Sequence, residues 1–359
     1  MASLKQVAVA ASIVAAAAVL LKTSTTPPLG SLEPFDLRGR TYVLTGATSG
    51  LGKRHAEALA SWNATLVLPV RDLAAGQKLA EQMAESFPNA PKPSVYQLDL
   101  SSLASVRRFA EEYTGPVDVL VHNAAILGSG DLRRTDDGFE ECFQVNYLST
   151  FLLTSLFLDR VESSSVGRIV HVSAEIYKVA NISTMTMRTE KVLDPGFGTR
   201  QWMHMGNLGG SLADSKLAQV LFNAALARRL KPGVVSLALH PGINTNTGIM
   251  RDLHQSRSAL NKFLDLVVPV IAQAIGLYHS DEDAPKVHIH VSTHPALQTD
   301  SASGRFYTSM KPPLRNCGRA PEDCAHVPLL GLAPDRQLQE EVFVTSCELL
   351  GLTDGMCRR

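Results

Sequence analysis

The stretch TGATSGLG, residues 45–52, decides the predicted fold of this 359-residue chain. It follows the apolar run TYVL and leads into a helix-like segment, residues 50–62. The glycines Gly46, Gly50 and Gly52 let the backbone approach a pyrophosphate, and the helix N-terminus offers unpaired N–H groups and a partial positive charge. The stretch therefore predicts a strand–turn–helix unit that binds a nucleotide through its phosphates.

Strand-like and helix-like segments alternate after this turn. Apolar strand-like segments lie at residues 41–46, 65–70, 94–100, 117–125, 168–174 and 234–242, with helix-like segments at residues 72–87, 102–113, 137–162 and around Lys216. Such alternation is typical of parallel β-α-β units. We predict one α/β domain with a doubly wound, Rossmann-type parallel sheet, helices on both faces, and a ligand site at the carboxyl ends of the strands.

The composition excludes one class of partner. Lys plus Arg and Asp plus Glu both total 34, and no long run of one sign occurs, so no basic field favours nucleic acid. With 45% hydrophobic and 19% charged residues, the chain can bury a large core. We expect a globular protein that binds no nucleic acid.

The cysteines and histidines give no metal signal. The five cysteines are odd in number and form no CxxC pair; they are Cys142, Cys317, Cys324, Cys347 and Cys357. We expect free thiols, with Cys317 and Cys324 pairing only if that face met an oxidising lumen. His288 and His290 form an HxH pair in a segment where a helix is expected, and residues two apart on a helix face different ways. No metal site is predicted.

Residues 7–21, VAVAASIVAAAAVLL, form an apolar run between Lys5 and Lys22, and a proline-containing linker follows. The run is short for a bilayer span, which needs about 20 apolar residues, although snorkelling of the two lysines would lengthen it. We expect an anchor to the endoplasmic reticulum or a lipid-droplet surface. A cleaved secretory signal, which would place the protein in the secretory lumen, is the alternative; a helix buried in the fold is a third interpretation.

The end of the second strand indicates which dinucleotide binds. Val70, Arg71 and Asp72 close that strand, where a carboxylate would bind a ribose 2′-hydroxyl and an arginine would pair with a 2′-phosphate. Arg71, with Lys53 or Arg54 nearby, therefore favours NADP(H) over NAD(H). Taken singly, Arg71 is also compatible with a solvated surface charge.

Further motifs occur in a fixed order along the chain: TGxxxGxG at 45–52, Asp99-Leu100, HNAA at 122–125, Asn146, SK at 215–216 and HPG at 240–242. Their order and spacing resemble the short-chain dehydrogenase/reductase family, most closely its membrane-associated retinol-dehydrogenase-type members. The resemblance implies these cofactor contacts: Gly46, Ser49, Gly50, Leu51 and Gly52 at the phosphates, Asp99 and Leu100 at the adenine, Asn123 and Ala124 at the nicotinamide ribose side, Lys216 at the ribose hydroxyls, and Pro241 and Gly242 beside the nicotinamide. His122 and Ala125 stand where the family usually shows Asn and Gly.

The same resemblance identifies the positions of the catalytic residues. Family members move a proton with a tyrosine that is assisted by a lysine, a serine and an asparagine. The asparagine and lysine positions are Asn146 and Lys216, but the tyrosine position holds Leu212 and the serine position holds Ala174. Neither replacement carries an exchangeable proton. We therefore predict a protein that binds NADP(H) without ordinary oxidoreductase activity.

An active enzyme is the alternative interpretation. It would be an NADP(H)-dependent oxidoreductase acting on a lipophilic alcohol or carbonyl, such as a retinoid, steroid or lipid. Its proton would come from a displaced donor, Tyr177 or His204, or from a water held by Asn146 and Lys216. Ser173 is expected to point away from the site, because adjacent side chains in a strand alternate faces.

The resemblance also bears on domains and partners. Residues 1–37 are expected to form the hydrophobic segment and linker, residues 38–315 the NADP-binding domain, and residues 316–359 an extension with a terminal helix near 338–351. The apolar residues 259–276 would line a pocket for a lipophilic molecule, rest on a membrane or simply pack in the core. Helices 137–162 and 211–230 resemble those that form dimer faces in the family, which implies a homodimer.

Overall fold

A computed structural model describes most of the predicted nucleotide-binding domain and the C-terminal helix. The described residues are 32, 34–127, 133–180, 182, 211–242, 284–308, 326–353 and 355–358. Several sequence predictions concern residues outside this set: the apolar runs 7–21 and 259–276, His204, Cys317 and Cys324.

One sheet organises the fold, with strand order β3-β2-β1-β4-β5-β6-β7-β8 among the described residues. The strands are β1 Thr41–Leu44, β2 Thr65–Val70, β3 Ser94–Gln97, β4 Val119–His122, β5 Arg168–Val172, β6 Val235–His240, β7 Phe306–Thr308 and β8 His326–Val327. All neighbouring pairs up to β7 are parallel, and β8 is antiparallel to β7. The order reverses between β1 and β4, which confirms the predicted doubly wound sheet.

Seven α-helices of ten or more residues cover the two faces of this sheet in the described part of the chain. They are α1 Gly50–Ser61, α2 Leu73–Ser86, α3 Leu103–Glu112, α4 Ser149–Glu162, α5 Ser211–Ala227, α6 Ala284–Thr293 and α7 Arg336–Leu349. Residues of α1, α2 and α6 pack into one hydrophobic core, and residues of α3, α4, α5 and α7 pack into the other. The central strands are buried on both sides, as parallel strands between two helical layers must be.

The long helix predicted at residues 137–162 begins later than the sequence suggested. Gly138 has a φ of 85°, and a bridge between Arg134 and Glu140 holds the preceding residues in a turn. Glu140 then caps a helical turn, Glu141–Phe143, by accepting from the backbone N–H groups of Cys142 and Phe143 at 3.1 and 2.7 Å. A π-helical turn, Gln144–Leu148, follows, and the regular α-helix starts at Ser149.

The structure also corrects the expectation of free thiols at two of the five cysteines. Cys347, at the end of α7, forms a disulfide with Cys357, ten residues later. Gly351 and Gly355, with φ values of 62° and 61°, turn the chain back so that the two Cα atoms lie 6.0 Å apart. The spacing of the cysteines alone could not show this reversal. Cys142 remains a buried free thiol.

The described residues contain neither a membrane-spanning helix nor a cluster of metal ligands. None of the helices in this part of the chain combines the length and apolarity needed to span a bilayer. No group of three or more His, Cys, Asp or Glu side chains among the described residues could hold a metal ion. His288 and His290 both lie on α6 and are buried.

Candidate functional site

The turn between β1 and α1 is closed so tightly that only glycine fits at two positions. Gly46 has a φ of 71°, and a Cβ there would lie 2.8 Å from the Cα of Ala124. A Cβ on Gly52 would lie 2.2 Å from the carbonyl oxygen of Gly46 and 2.4 Å from Nδ2 of Asn123. The start of α1 is therefore held directly against the β1 turn.

Asn123 and Ala124, after β4, brace this turn. The Asn123 amide donates to the carbonyl oxygens of Thr45 and Gly46 at 3.0 and 3.2 Å. The Thr45 hydroxyl in return accepts from the backbone N–H groups of Asn123 and Ala124, each at 3.1 Å. The predicted phosphate turn and the predicted nicotinamide side are thus joined by hydrogen bonds. Sequence reasoning missed Thr45, although it stands at the start of the quoted motif.

The N-terminus of α1 differs from those of the next two helices. Asp72 caps α2 by accepting from the Ala75 N–H at 3.0 Å, and Ser102 caps α3 by accepting from the Ser105 N–H at 3.2 Å. Ser49 occupies the same place before α1, but its side chain makes no capping hydrogen bond within the described residues. The first N–H groups of α1 have no intrahelical acceptor either. This N-terminus can therefore receive a phosphate.

Arg71 and Asp99 lie at the carboxyl ends of β2 and β3. Arg71 is exposed, and its carbonyl oxygen accepts from the Gln97 amide at 2.9 Å. The Asp99 carboxylate accepts from the backbone N–H and the hydroxyl of Ser101 at 2.9 and 2.7 Å. The Asp72 carboxylate accepts a hydrogen bond as the cap of α2. Of these two charged side chains at the end of β2, the exposed Arg71 is therefore the one that can bind a ligand.

Lys216 extends from α5 to the carboxyl end of β5. Its Nζ donates to the carbonyl oxygen of Val172 at 2.8 Å, and the side chain is 4% exposed. Burial lowers the pKa of Lys216 to about 8. Leu212, one helical turn earlier, is also buried, and Ala174 follows β5 half-buried. Ser173 donates from its hydroxyl to the Lys216 carbonyl oxygen at 2.9 Å, so it is committed to the helix backbone.

Asn146 lies in the π-helical turn that precedes α4. Its amide Oδ1 accepts from the Ile126 N–H at 2.8 Å, and its Nδ2 donates to the Ile126 carbonyl and to the Ser215 hydroxyl at 3.0 and 3.1 Å. The Asn146 carbonyl oxygen accepts from the Gln219 amide at 2.7 Å. Sequence reasoning missed Gln219, although its spacing of three from Lys216 places both on one side of α5.

The comparisons with known proteins agree with this architecture. The family model described as short chain dehydrogenase matches residues 40–186. Human retinol dehydrogenase 14 is 30% identical over 338 residues, which cover 89% of each chain. Human retinol dehydrogenase 13 is 31% identical over 351 residues, covering 94% of this chain and 92% of that protein.

The chain belongs to the short chain dehydrogenase family.

Solved structures show the same family fold. An uncharacterized protein from Mycobacterium paratuberculosis is 27% identical and superposes with a TM-score of 0.62, covering 89% of this chain and 96% of that one. A protein from Beutenbergia cavernae, described as an NAD(P)-dependent gluconate 5-dehydrogenase with NADP bound at low occupancy, is 23% identical and superposes with a TM-score of 0.57 over 77% of this chain and 97% of that one.

Within this family fold, Pro241 and Gly242 come directly after β6 and are both buried. Gly242 has a φ of 86°, which only glycine adopts without strain. Strands β1, β4, β5 and β6 thus end at one edge, which carries the glycine turn, Asn123, Ala174 and Gly242. Arg71 and Asp99 follow the neighbouring strands β2 and β3 at the same edge.

Within the described part of the chain, the Tyr177 side chain is directed away from this edge. It lies in a 3₁₀ turn, Glu175–Val179, with its ring packed edge-on against Phe306 at 5.1 Å. Its buried hydroxyl accepts from the Leu330 N–H at 3.3 Å, and burial raises its pKa. The hydroxyl is therefore turned toward the segment that leads to α7, where it stabilises packing.

Proposed function

We propose that this family member binds NADP(H) and a lipophilic ligand but lacks ordinary oxidoreductase activity. One observation carries the proposal: α5 presents Lys216 and Leu212 on consecutive turns, so hydrocarbon lies where the family resemblance requires a phenol. Ala174, where the resemblance requires a serine, also lacks a hydroxyl. The protein would thus be a pseudoenzyme that senses, stores or presents its ligands.

Nucleotide binding is supported by the fit of the residues around the glycine turn. The uncapped N–H groups of α1, between Ser49 and Gly52, suit a pyrophosphate, and the exposed guanidinium of Arg71 suits a 2′-phosphate. Asp99 and the buried Leu100 follow β3, where the family resemblance implies the adenine. Bound NADPH would supply a hydride, and Lys216 would hold the ribose hydroxyls.

The expected loss of turnover follows from the missing proton donor. A general acid or base contributes about 10²–10⁴-fold to rate, or roughly 3–5 kcal/mol of barrier. Ser173 cannot substitute, because its hydroxyl donates to the backbone of α5. The Asn146 amide is engaged by Ile126 and Ser215, and its carbonyl oxygen accepts from Gln219. These contacts leave Asn146 little capacity to hold a relay water.

The alternative, an active oxidoreductase with a displaced donor, has less support. Tyr177 packs against Phe306 and accepts from Leu330, so its hydroxyl is directed into the core. The choice of a lipophilic ligand rests on the curated relatives, which are named retinol dehydrogenases. A retinoid-like alcohol or aldehyde is therefore the class of ligand to try first.

The proposal includes attachment to a membrane through residues 7–21, at the endoplasmic reticulum or a lipid droplet, with the secretory lumen as the alternative. We further propose that residues 38–315 form the nucleotide-binding domain, between the segment 1–37 and the extension 316–359. Extraction of membranes with alkaline carbonate tests the attachment, because an inserted chain stays with the pellet.

Fluorescence titration of the full chain with NADPH and NADH, in one mild detergent, tests the nucleotide site. A parallel assay compares the wild type with the Leu212→Tyr/Ala174→Ser double variant on retinaldehyde and other lipophilic carbonyls. We expect tighter binding of NADPH than NADH, and turnover that rises at least tenfold in the double variant. Robust turnover by the wild type would overturn the proposed lack of activity, and no binding of either nucleotide would overturn the proposed cofactor.

A further inference from the structure

Helix α1 ends in a tight backbone reversal at Asn63. The Ala64 N–H donates to the Leu59 carbonyl oxygen at 3.0 Å, and the Asn63 N–H donates to the Ala60 carbonyl oxygen at 2.9 Å. These two bonds, with Asn63 at a φ of 65°, form a Schellman motif. Asn63 is the only residue other than glycine with a positive φ in the described part of the chain. Backbone groups make this turn, so the Asn63 side chain is not needed to close it.

The same turn carries a second feature that its geometry does not require. Asn63-Ala64-Thr65 is an Asn-X-Thr triplet, the acceptor sequence for an N-linked glycan. Glycine is the usual residue at the left-handed position of a Schellman motif, and asparagine also occurs there. The turn therefore accounts for Asn63 but makes no demand on the hydroxyl of Thr65. The turn and the triplet can be changed independently.

The acceptor side chain lies at the surface. Asn63 and Thr65 are both partly exposed, whereas Ala64 between them is fully buried. Within the described part of the chain, the Asn63 carboxamide makes no hydrogen bond. Ala64 thus holds the turn against the core, and the carboxamide of Asn63 remains available to carry a substituent.

This turn and the glycine turn lie at opposite edges of the sheet. Thr65 opens β2 and pairs with Thr41 at the start of β1, whereas Arg71 and the glycine turn follow the ends of these strands. The six residues of β2 separate the two edges by roughly 20 Å, at about 3.3 Å per residue. A glycan on Asn63 would therefore leave the nucleotide site open.

The cysteines indicate a compartment in which such a glycan is added. Cys347 and Cys357 form a disulfide, and disulfides persist in the lumen of the endoplasmic reticulum but are rare in the cytosol. Cys142, the free thiol of the described part of the chain, is fully buried and so cannot mispair there. The disulfide lies far from the triplet in the sequence, so the two observations are independent and agree.

We propose that Asn63 is an N-glycosylation site and that the folded domain lies in the lumen of the endoplasmic reticulum. This inference rests on the proposed role of residues 7–21, which would bring the chain to the membrane, and it selects the side on which the domain lies. The sugar donor is a lipid-linked oligosaccharyl diphosphate. The Asn63 Nδ2 forms a bond to C1 of the oligosaccharide, the bond from C1 to the diphosphate breaks, the lipid diphosphate leaves and the amide loses one proton.

Full-length variants expressed in eukaryotic cells test the proposal. Every chain carries Ser183→Ala, which removes the other such triplet, Asn181-Ile182-Ser183, and this chain is the reference. Asn63→Gly removes the acceptor and keeps the turn, because glycine adopts a positive φ without strain. Thr65→Val removes the hydroxyl but keeps a β-branched residue in β2, whereas Thr65→Ser is the matched control that retains the triplet.

Three measurements are made on each chain. Gel mobility before and after treatment with peptide N-glycosidase reports the glycan. Digestion of sealed microsomes by an added protease reports the side of the membrane on which the domain lies. Alkaline carbonate reports the attachment separately, and NADPH titration of the purified chains confirms that the variants are folded.

The reference chain and Thr65→Ser are expected to lose the mass of one glycan on enzyme treatment and to resist the protease. Asn63→Gly and Thr65→Val should show no change of mobility and equal resistance. A reference chain without a glycan, or a glycan that persists in Asn63→Gly, would overturn the site. A domain digested in sealed microsomes but retained in the carbonate pellet would overturn the lumenal position alone and leave the attachment standing. A glycosylated chain released by carbonate would overturn the attachment and support the site.

Discussion

Lys216 donates from its buried Nζ to the carbonyl oxygen of Val172, 2.8 Å away at the end of β5. Burial keeps water from the amine, which disfavours the charged form and lowers its pKa to about 8. No carboxylate among the described residues forms a salt bridge with it. Buried ionisable groups with shifted pKa values cluster at functional sites. At such a site, a bound ligand can accept the hydrogen bonds that the buried amine offers.

Lys216→Met is therefore expected to stabilise the ligand-free protein by about 2 kcal/mol at pH 7. The pKa of Lys216 is lower in the folded chain than in the unfolded chain. The free-energy cost of burying its charge therefore has its full value below about pH 8 and disappears as the pH rises toward 10.5. Urea unfolding at pH 7 and at pH 10 checks this, with exposed Lys78→Met as control. If Lys216→Met raised the free energy of unfolding equally at both pH values, the prediction would be contradicted. NADPH affinity should fall in the same variant.

Gly52→Ala should disrupt the nucleotide site. The added Cβ would lie 2.2 Å from the Gly46 carbonyl oxygen, so the glycine turn or α1 must move. We expect NADPH affinity to fall at least tenfold in fluorescence titrations. Gly138→Ala is the control, since Gly138 also has a positive φ but a Cβ there meets nothing within 4 Å. Gly138→Ala should lower the free energy of unfolding by about 1 kcal/mol and leave NADPH binding unchanged. Equal losses of NADPH affinity in the two variants would argue against the glycine turn as the phosphate site.

Arg71→Ala should weaken the binding of NADPH without changing the binding of NADH. Loss of the guanidinium removes a charge-assisted contact to the 2′-phosphate, which is absent from NADH. NADPH affinity is expected to fall about tenfold, or 1.4 kcal/mol, while NADH affinity stays the same. Lys92→Ala, another exposed cation, is the control. If NADPH binding survives Arg71→Ala intact, the 2′-phosphate is held elsewhere.

Tyr177→Phe discriminates between the two functional interpretations. Removing the hydroxyl deletes the contact with the Leu330 N–H and should cost about 1 kcal/mol in chemical unfolding. Any residual carbonyl reduction should persist unchanged, because the ring still packs against Phe306. Abolition of that rate at unchanged NADPH affinity would instead support Tyr177 as the proton donor.

Cleavage of the Cys347–Cys357 disulfide should lower the free energy of unfolding by about 3 kcal/mol, the entropy value for a loop of this size. Chemical unfolding with and without reductant measures the change. The Cys347→Ser/Cys357→Ser variant supplies the control, because reductant should no longer affect it. Mass spectrometry of the alkylated native chain checks the pairing, and two alkylated thiols at these positions would refute it.

The sequence predicted the order of strands and helices in the sheet well because its signals are local. Strand and helix periods alternate, and Gly46, Gly50 and Gly52 all lie within the single stretch 45–52. Leu212 and Lys216 share a face through the helical repeat alone. The start of the long helix was missed because the Glu140 cap and the π-helical turn replace the regular hydrogen bonds that a periodic pattern assumes.

The sequence by itself thus determined the doubly wound sheet, the glycine turn and the position of Leu212 one helical turn before Lys216, since each depends on neighbours a few residues apart. Only the tertiary structure decided that Cys347 meets Cys357, that Tyr177 points to Leu330, and that α7 covers α4 and α5. These contacts join segments whose sequence separation carries no information about their distance. They form between surfaces that match in shape and charge, and residues close together in the sequence do not specify that match.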